Sequence, residues 1–207
     1  MEPVQTRPGV LMVAMEPPAS LEEEFNDWYD TEHFPQRRAL PGFLDAARWV
    51  CVDGWPRWLA IYELDSMAAL ESEAYRAVSG ANSTPWSRRV LPRTVGRTRV
   101  AAASLDTDDE IDRRTAAPAS RMLLAGAHLS GGLAQAHEAA GQMRAALEPR
   151  EELLRVRWFV QGDATLWTLA TFDTPVAADA LAWSIGRPAG LGMATFNLYA
   201  PYVRSSY

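Results

Sequence analysis

The sequence predicts an α+β fold built from two ferredoxin-like repeats, each with the order β-α-β-β-α-β. Two observations lead to this prediction: a strand–turn–strand segment occurs twice, and matching strand and helix patterns lie on either side of each copy. The chain has 207 residues, so each repeat has about a hundred residues, the size of a small domain.

The duplicated segment lies in the middle of each half of the chain. Residues 48–54 (RWVCVDG) and 57–65 are predicted as two short strands around a tight glycine turn. Residues 157–163 (RWFVQGD) and 166–173 repeat this pattern in the second half. Aromatic and β-branched runs around Asp-Gly or Gly-Asp are typical of β-hairpins. Each half therefore contains one central hairpin.

The flanking elements repeat in the same order. Each hairpin is preceded by an apolar strand and a helix, and is followed by a helix and a last strand. Residues 106–120 are a charged run with alanine and proline, which predicts a linker. The predicted domains are therefore 1–105 and 121–207. The flanking strands are predicted at 10–15, 96–105, 122–127 and 194–203, and the helices at 21–34, 67–78, 133–147 and 177–185.

Both helices of a β-α-β-β-α-β unit cover the same face of its antiparallel sheet. The other face is too apolar to remain wet and requires a partner. We therefore expect the two units to pack sheet to sheet, which would make the space between the sheets either core or a ligand pocket.

The inventory of reactive side chains excludes several kinds of chemistry. All 20 basic residues are arginine, which excludes a lysine Schiff base, a pyridoxal phosphate anchor and a P-loop lysine. Cys51 is the single cysteine, which excludes an intrachain disulfide and a cysteine-rich metal or iron–sulfur site. The three histidines, His33, His128 and His137, show no metal-ligand spacing. We therefore expect neither a metal nor an organic cofactor.

Charge and hydropathy indicate a globular protein that is soluble in water. Charged residues make up 22% of the chain and the mean hydropathy is -0.18, values that fit neither disorder nor a membrane span. A net charge of -6 and a pI near 5.1 argue against a nucleic-acid partner. Residues 1–9 are polar and do not resemble a signal peptide. We expect a cytoplasmic protein whose partner is a small-molecule substrate, with no nucleic acid and no membrane.

The end of the first predicted helix holds the best candidate for proton transfer. Pro35 is expected to end this helix near His33 or Phe34. Tyr29 lies one turn before His33, and Asp30 lies on the same side. A histidine near a carboxylate and a phenol is suited to proton transfer because its charge changes near neutral pH. The alternative is that His33 only satisfies carbonyl groups at the helix end, which spacing alone favours.

Residues 25–35 (FNDWYDTEHFP) resemble the F-x-x-W-Y-x-x-x-H-x-P signature of EthD-like proteins, which belong to the dimeric α/β-barrel superfamily. Residues 39–43 (ALPGF) are similar to the start of the family's second strand, and residues 59–64 are similar to its third strand. The resemblance covers residues 10–105, and the second half has no equivalent histidine near its helix end, at 136–143. It implies a fused, pseudo-dimeric α/β barrel with at most one active half, present as a monomer or a homodimer.

The resemblance implies several activities rather than one. The superfamily includes cofactor-free monooxygenases, cyclases, decarboxylases, dehydratases and lactone isomerases that act on aromatic or polyketide-like substrates. Some relatives bind haem, and others have no known activity. Our first hypothesis is a cofactor-independent lyase, isomerase or cyclase in which His33 is the general acid/base, oriented by Asp30 or Tyr29.

Two alternatives remain open beside this hypothesis. One is a monooxygenase, either cofactor-free or haem-dependent, with His128 or His33 as the haem ligand. The other is a non-catalytic ligand-binding or stress-associated protein. That alternative predicts an interior filled by side chains, with no cavity beside His33.

Five further side chains are candidates for substrate binding. Trp49 and Trp86 could line an aromatic pocket or belong to the core. Arg48 could bind a carboxylate or an enolate, or it could pair with a local acid. Tyr62 lies on the predicted third strand, and alternation does not reveal which face it joins. His128 follows the first strand of the second half and could transfer protons or lie on the surface.

Overall fold

The computed structural model describes residues 4–105, 108–113 and 118–204. Internal contacts divide the chain into two compact units. Among the described residues, the first unit contains 4–48, 56–103 and 202–204, and the second unit contains the others. No helix in the described ranges is long and apolar enough to cross a membrane.

The first half of the chain contains the elements of one ferredoxin-like repeat. They are β1 (Gly9–Glu16), α1 (Glu22–Trp28), α2 (Phe34–Arg38), β2 (Phe43–Asp53), β3 (Trp58–Leu64), α3 (Glu73–Ala77), α4 (Pro85–Val90) and β4 (Val95–Ser104). Strand β1 is antiparallel to both β3 and β4. The strand order is β4-β1-β3-β2.

The second half repeats this arrangement. Its elements are β5 (Ile111–Asp112), β6 (Arg121–His128), α5 (Gly132–Leu147), β7 (Leu153–Gln161), β8 (Thr165–Phe172), α6 (Ala178–Ile185) and β9 (Met193–Tyr202). The strand order is β9-β6-β8-β7-β5, so the last, first, third and second strands of the repeat lie side by side as in the first half. The predicted α+β class with two ferredoxin-like repeats is confirmed.

Part of the predicted linker has a structure of its own. Strand β5 lies within 106–120, and Ile111 pairs with Val156 on β7. Residues 106, 107 and 114–117 of the predicted linker lie outside the described residues. The domain limits at 105 and 121 stay predictions.

The register of β1 determines which side chains share a face of the first sheet. Leu11 is opposite Tyr62 on β3, and Val13 is opposite Arg99 on β4. Paired residues point to the same face, as do residues two apart along a strand. Leu11, Val13, Tyr62 and Arg99 therefore share one face, together with Arg97.

The first helical segment does not end before Pro35. Helix α1 passes into a π-helical turn, Tyr29–His33, and then into α2, which ends at Arg38. The N–H of Phe34 donates to the carbonyl of Tyr29, five residues earlier. This wider register accommodates the proline ring and the missing N–H that would break a regular helix. The predicted helix end near His33 or Phe34 is therefore wrong, and His33 is not at a helix end where it would satisfy free carbonyls.

Each unit has its own core. In the first unit, Phe25, Trp28 and Tyr29 are buried together, and the indole N–H of Trp28 donates to Oγ of Ser87 at 3.1 Å. In the second unit, a continuous apolar cluster lies between α5 and the sheet. It includes the fully buried alanines Ala136, Ala139 and Ala140 of α5 together with Leu123, Leu147, Trp158 and Phe172.

Candidate functional site

A pocket of about 370 Å³ lies in the first unit, between the sheet and the helical segment that carries His33. Its floor is apolar because β1 contributes Leu11, Val13 and Met15. Polar and positively charged side chains surround this floor, and no Asp or Glu of the described ranges lines the pocket. The remaining lining residues are His33, Arg37, Tyr62, Tyr75, Leu91, Arg97 and Arg99.

His33 lies at the end of the π-helical turn, and two aromatic neighbours hold its ring. The ring centroid is 4.5 Å from that of Trp28 and 5.1 Å from that of Tyr29. Nδ1 is buried and has no hydrogen-bond partner among the described residues. This leaves Nε2 as the nitrogen that a molecule in the pocket can reach.

His33 is neutral at neutral pH. Burial, reinforced by the positive charges of Arg37 and Arg48, lowers its pKa from 6.5 to about 3. The charge of His33 therefore does not change near neutral pH in the protein alone, contrary to the expectation from an ordinary histidine. A negative charge beside the ring would offset the two arginines and raise this pKa.

Two buried tyrosines belong to the same region. Tyr29 and Tyr62 are buried, and neither hydroxyl oxygen has a hydrogen-bond partner among the described residues. Burial raises the pKa of both phenols, so both are neutral. Buried polar atoms almost always have partners in folded proteins. The two hydroxyls lie near each other, so Nδ1 of His33 is the buried polar atom of this region that most clearly lacks a partner among the described residues.

Arg37 places a buried positive charge on the pocket wall. Its side chain donates to the carbonyl of Val78 at 2.7 Å and to Oγ of Ser79 at 3.2 Å, and it lies 5.3 Å from the ring centroid of Tyr75. It makes no ion pair with any carboxylate in the described part of the chain. Buried charges are normally paired, so Arg37 is a candidate to bind an anion or a developing oxyanion.

Arg97 and Arg99 form the exposed rim of the pocket on β4. Nη2 of Arg99 donates to the hydroxyl of Tyr75 at 3.3 Å. The side chain of Arg97 forms no hydrogen bond or ion pair with another described residue. Both guanidinium groups are therefore available to a ligand that enters from solvent.

Asp30 and Arg48 form a separate cluster beside the π-helical turn. The guanidinium of Arg48 is ion-paired with Asp30 and lies 4.4 Å from the ring centroid of Tyr29. Asp30 also accepts a hydrogen bond from the Tyr202 hydroxyl at 3.3 Å. Arg48 thus pairs with a local acid, and within the described ranges Asp30 makes no hydrogen bond to His33. These two residues fix the turn that carries His33 and do not line the pocket.

Three predicted ligand-binding residues lie elsewhere. Trp86 is half-buried on α4, and its indole N–H donates to Oε1 of Glu24 at 3.2 Å. Trp49 is buried in the second unit, and His128 is exposed at the end of β6 in that unit. Of the eight predicted site residues, the structure brings His33 and Tyr62 together in this pocket.

The arginines of the pocket were not among the residues predicted from the sequence. Arg37 lies four residues after His33, and this spacing places two side chains on the same helix face. Arg97 and Arg99 are two residues apart on a strand and therefore share a face. Both signals were present in the sequence, but only the strand register shows that they converge on His33.

No protein-family model and no curated protein matches the chain. An anthrone oxidase-like protein has a similar structure, with 11% identity, a TM-score of 0.67 and coverage of 96% of this chain and 92% of that chain. A chlorite dismutase variant from Candidatus Nitrospira defluvii is similar at 8% identity, a TM-score of 0.63 and coverage of 95% and 91%.

A haem-binding protein from Thermus thermophilus is also similar, at 10% identity, a TM-score of 0.57 and coverage of 94% and 91%. Likenesses at 11% identity or less show the fold alone. The resemblance to the EthD-like branch stays a prediction. The chain shares the fold of these proteins, with the two ferredoxin-like repeats that the sequence predicted.

Proposed function

We propose that the protein is an enzyme that acts on a small aromatic, polyketide-like molecule without an organic cofactor, by lyase, isomerase or cyclase chemistry. The observation that carries this proposal is the pocket of about 370 Å³ in which His33 faces an apolar floor. Small-molecule sites typically enclose ~300–1,000 Å³. A non-catalytic protein with no cavity beside His33, the third hypothesis from the sequence, is at odds with this pocket.

In the proposed reaction, His33 moves a proton and an arginine binds the resulting charge. Nε2 takes a proton from a carbon next to a substrate carbonyl. The electron pair of the C–H bond becomes part of an enolate, and its negative charge lies on the oxygen. Arg37 stabilises that oxygen by a charge-assisted hydrogen bond. His33 then returns the proton to another carbon in an isomerisation, or to a departing hydroxyl group in a dehydration.

Because of its low pKa the free His33 imidazole is a weak base, so proton transfer to it depends on the negative charge that forms on the substrate beside it. At neutral pH the free imidazole is in its basic form. The enolate forms as the ring becomes positive, so each charge stabilises the other. Tyr29 packs against the ring, while the Asp30–Arg48 pair holds the turn that carries it. We infer that these three residues position His33 and do not contact the substrate.

Proton exchange at a carbon acid tests the proposal. Anthrone, a tricyclic ketone with an acidic methylene group, is incubated with the protein in deuterium oxide without oxygen, and exchange is followed by NMR. The protein should accelerate exchange above the spontaneous rate. We expect His33→Gln to reduce this acceleration by about 100-fold or more.

The matched control for this assay is His137→Gln, which removes an exposed histidine from α5 in the second unit. It should retain the acceleration of the unchanged protein. Equal acceleration by folded His33→Gln protein would show that His33 does not transfer the proton.

A cofactor-free monooxygenase is the second candidate, and the likeness to an anthrone oxidase-like protein favours it. This reaction begins with the same loss of a proton. The enolate of anthrone then reduces O₂: one oxygen atom becomes the second carbonyl of anthraquinone, and the other is released as water. In air, His33-dependent oxygen uptake with anthraquinone formation supports this candidate, whereas exchange without oxygen uptake supports the first.

Haem-dependent oxygenation does not fit these residues. An axial ligand must face a slot wide enough for the macrocycle. His128 and His137 are exposed in the second unit, whereas His33 faces a pocket of about 370 Å³ with arginines on its wall. We expect no Soret band characteristic of a ligated haem when haem is added to the purified protein.

A further inference from the structure

The pocket concentrates unpaired positive charge. Arg37, Arg97 and Arg99 line the same space, and none forms an ion pair with a carboxylate in the described ranges. By contrast, Arg57 and Arg89 of the same unit are paired with glutamates. Unpaired arginines on one pocket wall indicate a ligand that brings the missing negative charge.

Tyr75 links two of these arginines. Arg37 lies over its ring, and Arg99 donates to its hydroxyl at 3.3 Å. The ring is itself stacked on Phe43, with centroids 5.9 Å apart and an interplanar angle of 19°. Burial, and to a smaller extent the charge of Arg99, lowers the pKa of Arg37. An anion in the pocket would relieve this repulsion.

The exposed rim with Arg97 and Arg99 lies on one side of the apolar pocket floor, and Tyr62 lies on the other side. Strand β3 carries Tyr62 and β4 carries Arg97 and Arg99, and both flank β1. Neighbouring strands are about 4.8 Å apart, so β3 and β4 are separated by about 10 Å. Leu11 and Val13 of β1 provide the apolar surface between them. This layout suits a flat apolar body with an anionic group at one end.

We infer that the pocket takes an aromatic carboxylic acid, with its ring system on the apolar floor and its carboxylate bound by Arg97 and Arg99. A guanidinium group presents two parallel N–H donors that match the two oxygens of a carboxylate. The inference rests on the proposed function, because it names the substrate class of the same pocket. Arg37 remains available for the oxygen that becomes negative beside His33.

Binding of a matched pair of probes tests this inference without turnover. 2-Naphthoate and its neutral amide, 2-naphthamide, have the same ring system and differ in charge. Isothermal titration calorimetry should show that the acid binds about 10-fold tighter or more than the amide. Because two charges form the contact, added salt should weaken binding of the acid and leave binding of the amide unchanged.

Two substitutions on the rim give the decisive comparison. The double variant Arg97→Gln/Arg99→Gln should lose the preference for the acid, while its affinity for the amide stays within about 2-fold. Arg88→Gln, which removes an exposed arginine from α4 outside the pocket, should bind both probes as the unchanged protein does. Since Arg97 and Arg99 are exposed, the double variant should fold, which circular dichroism checks.

Three results would overturn the inference. The first is equal affinity for the acid and the amide, and the second is an equal loss of affinity for both probes in the double variant. The third is no binding of either probe at millimolar concentration. These results are separable from failure of the proposed function. His33-dependent exchange of anthrone with no preference for the acid leaves the function standing and removes the substrate class. A clear preference for the acid without any exchange supports a binding site without catalysis.

Discussion

The two units share a strand order but differ in what lies between sheet and helices. In the first unit this space holds a pocket with His33 and arginines on its wall. In the second unit a continuous apolar cluster lies between α5 and the sheet. The same topology therefore supports either a site or a core, and the local sequence decides which one forms.

The helices explain much of this difference. Helix α5 is one regular helix of 16 residues with the fully buried alanines Ala136, Ala139 and Ala140. Small side chains let a helix approach its sheet closely, which leaves little free volume. The first unit instead has two short helices joined by the π-helical turn, and this turn carries His33. π-helical turns often occur at functional sites.

The first prediction tests a contrast between the two units. An ion pair stabilises the helical segment that carries His33, whereas apolar packing stabilises α5. Arg48→Met would leave Asp30 in a half-buried position without its main partner. We expect the free energy of unfolding to fall by about 3 kcal/mol or more. Urea unfolding followed by tryptophan fluorescence measures this loss.

A surface ion pair of the same unit provides the control. Arg89→Met breaks the pair with Glu24, where the arginine side chain is 56% exposed. Exposed pairs contribute less than about 1 kcal/mol. Equal losses in the two variants would show that the Arg48 cluster does not hold the turn.

The second prediction tests whether the space between α5 and the sheet is tightly packed while the pocket of the first unit is open. Ala140→Leu adds volume to the packed interface of α5, where Ala140 is fully buried. Overpacking of this kind costs about 1–3 kcal/mol. Val13→Leu adds volume on the pocket floor and should change the free energy of unfolding by less than about 0.5 kcal/mol. Similar costs at both sites would contradict the contrast between core and pocket.

The fold could be predicted because its signals are local and repeated. Short β-branched and aromatic runs around a glycine turn occur in both halves, and each predicts a hairpin without knowledge of the rest of the chain. The π-helical turn was not predictable in this way. The rule that a helix ends before proline is correct for regular hydrogen bonding, but Pro35 follows a turn with a different register.

The site was less predictable because it depends on register between distant strands. His33 could be selected from its motif, and Tyr62 from its strand. Arg97 and Arg99 join them only because β4 pairs with β1 so that Val13 is opposite Arg99. Alternation along a strand shows that two residues share a face, but not which face a helix covers.

The pH dependence of stability should depend on His33. In the unfolded chain its pKa has the ordinary value of 6.5, whereas in the folded protein it is about 3. Between these values the unfolded chain binds more protons, so His33 makes the folded protein less stable as pH falls from 6.5 toward 3. This single group contributes a slope approaching about 1.4 kcal/mol per pH unit.

Urea unfolding at several values between about pH 8 and about pH 4 measures this slope. His33→Gln should flatten it below pH 6.5, because glutamine does not titrate. His137→Gln removes a histidine without touching the pocket, so it should keep the slope of the unchanged protein. If both variants lose as much free energy of unfolding as the unchanged protein when the pH falls, His33 is not held neutral by its surroundings. If His33→Gln alone is flatter, the surroundings of His33 in the first unit hold its imidazole neutral.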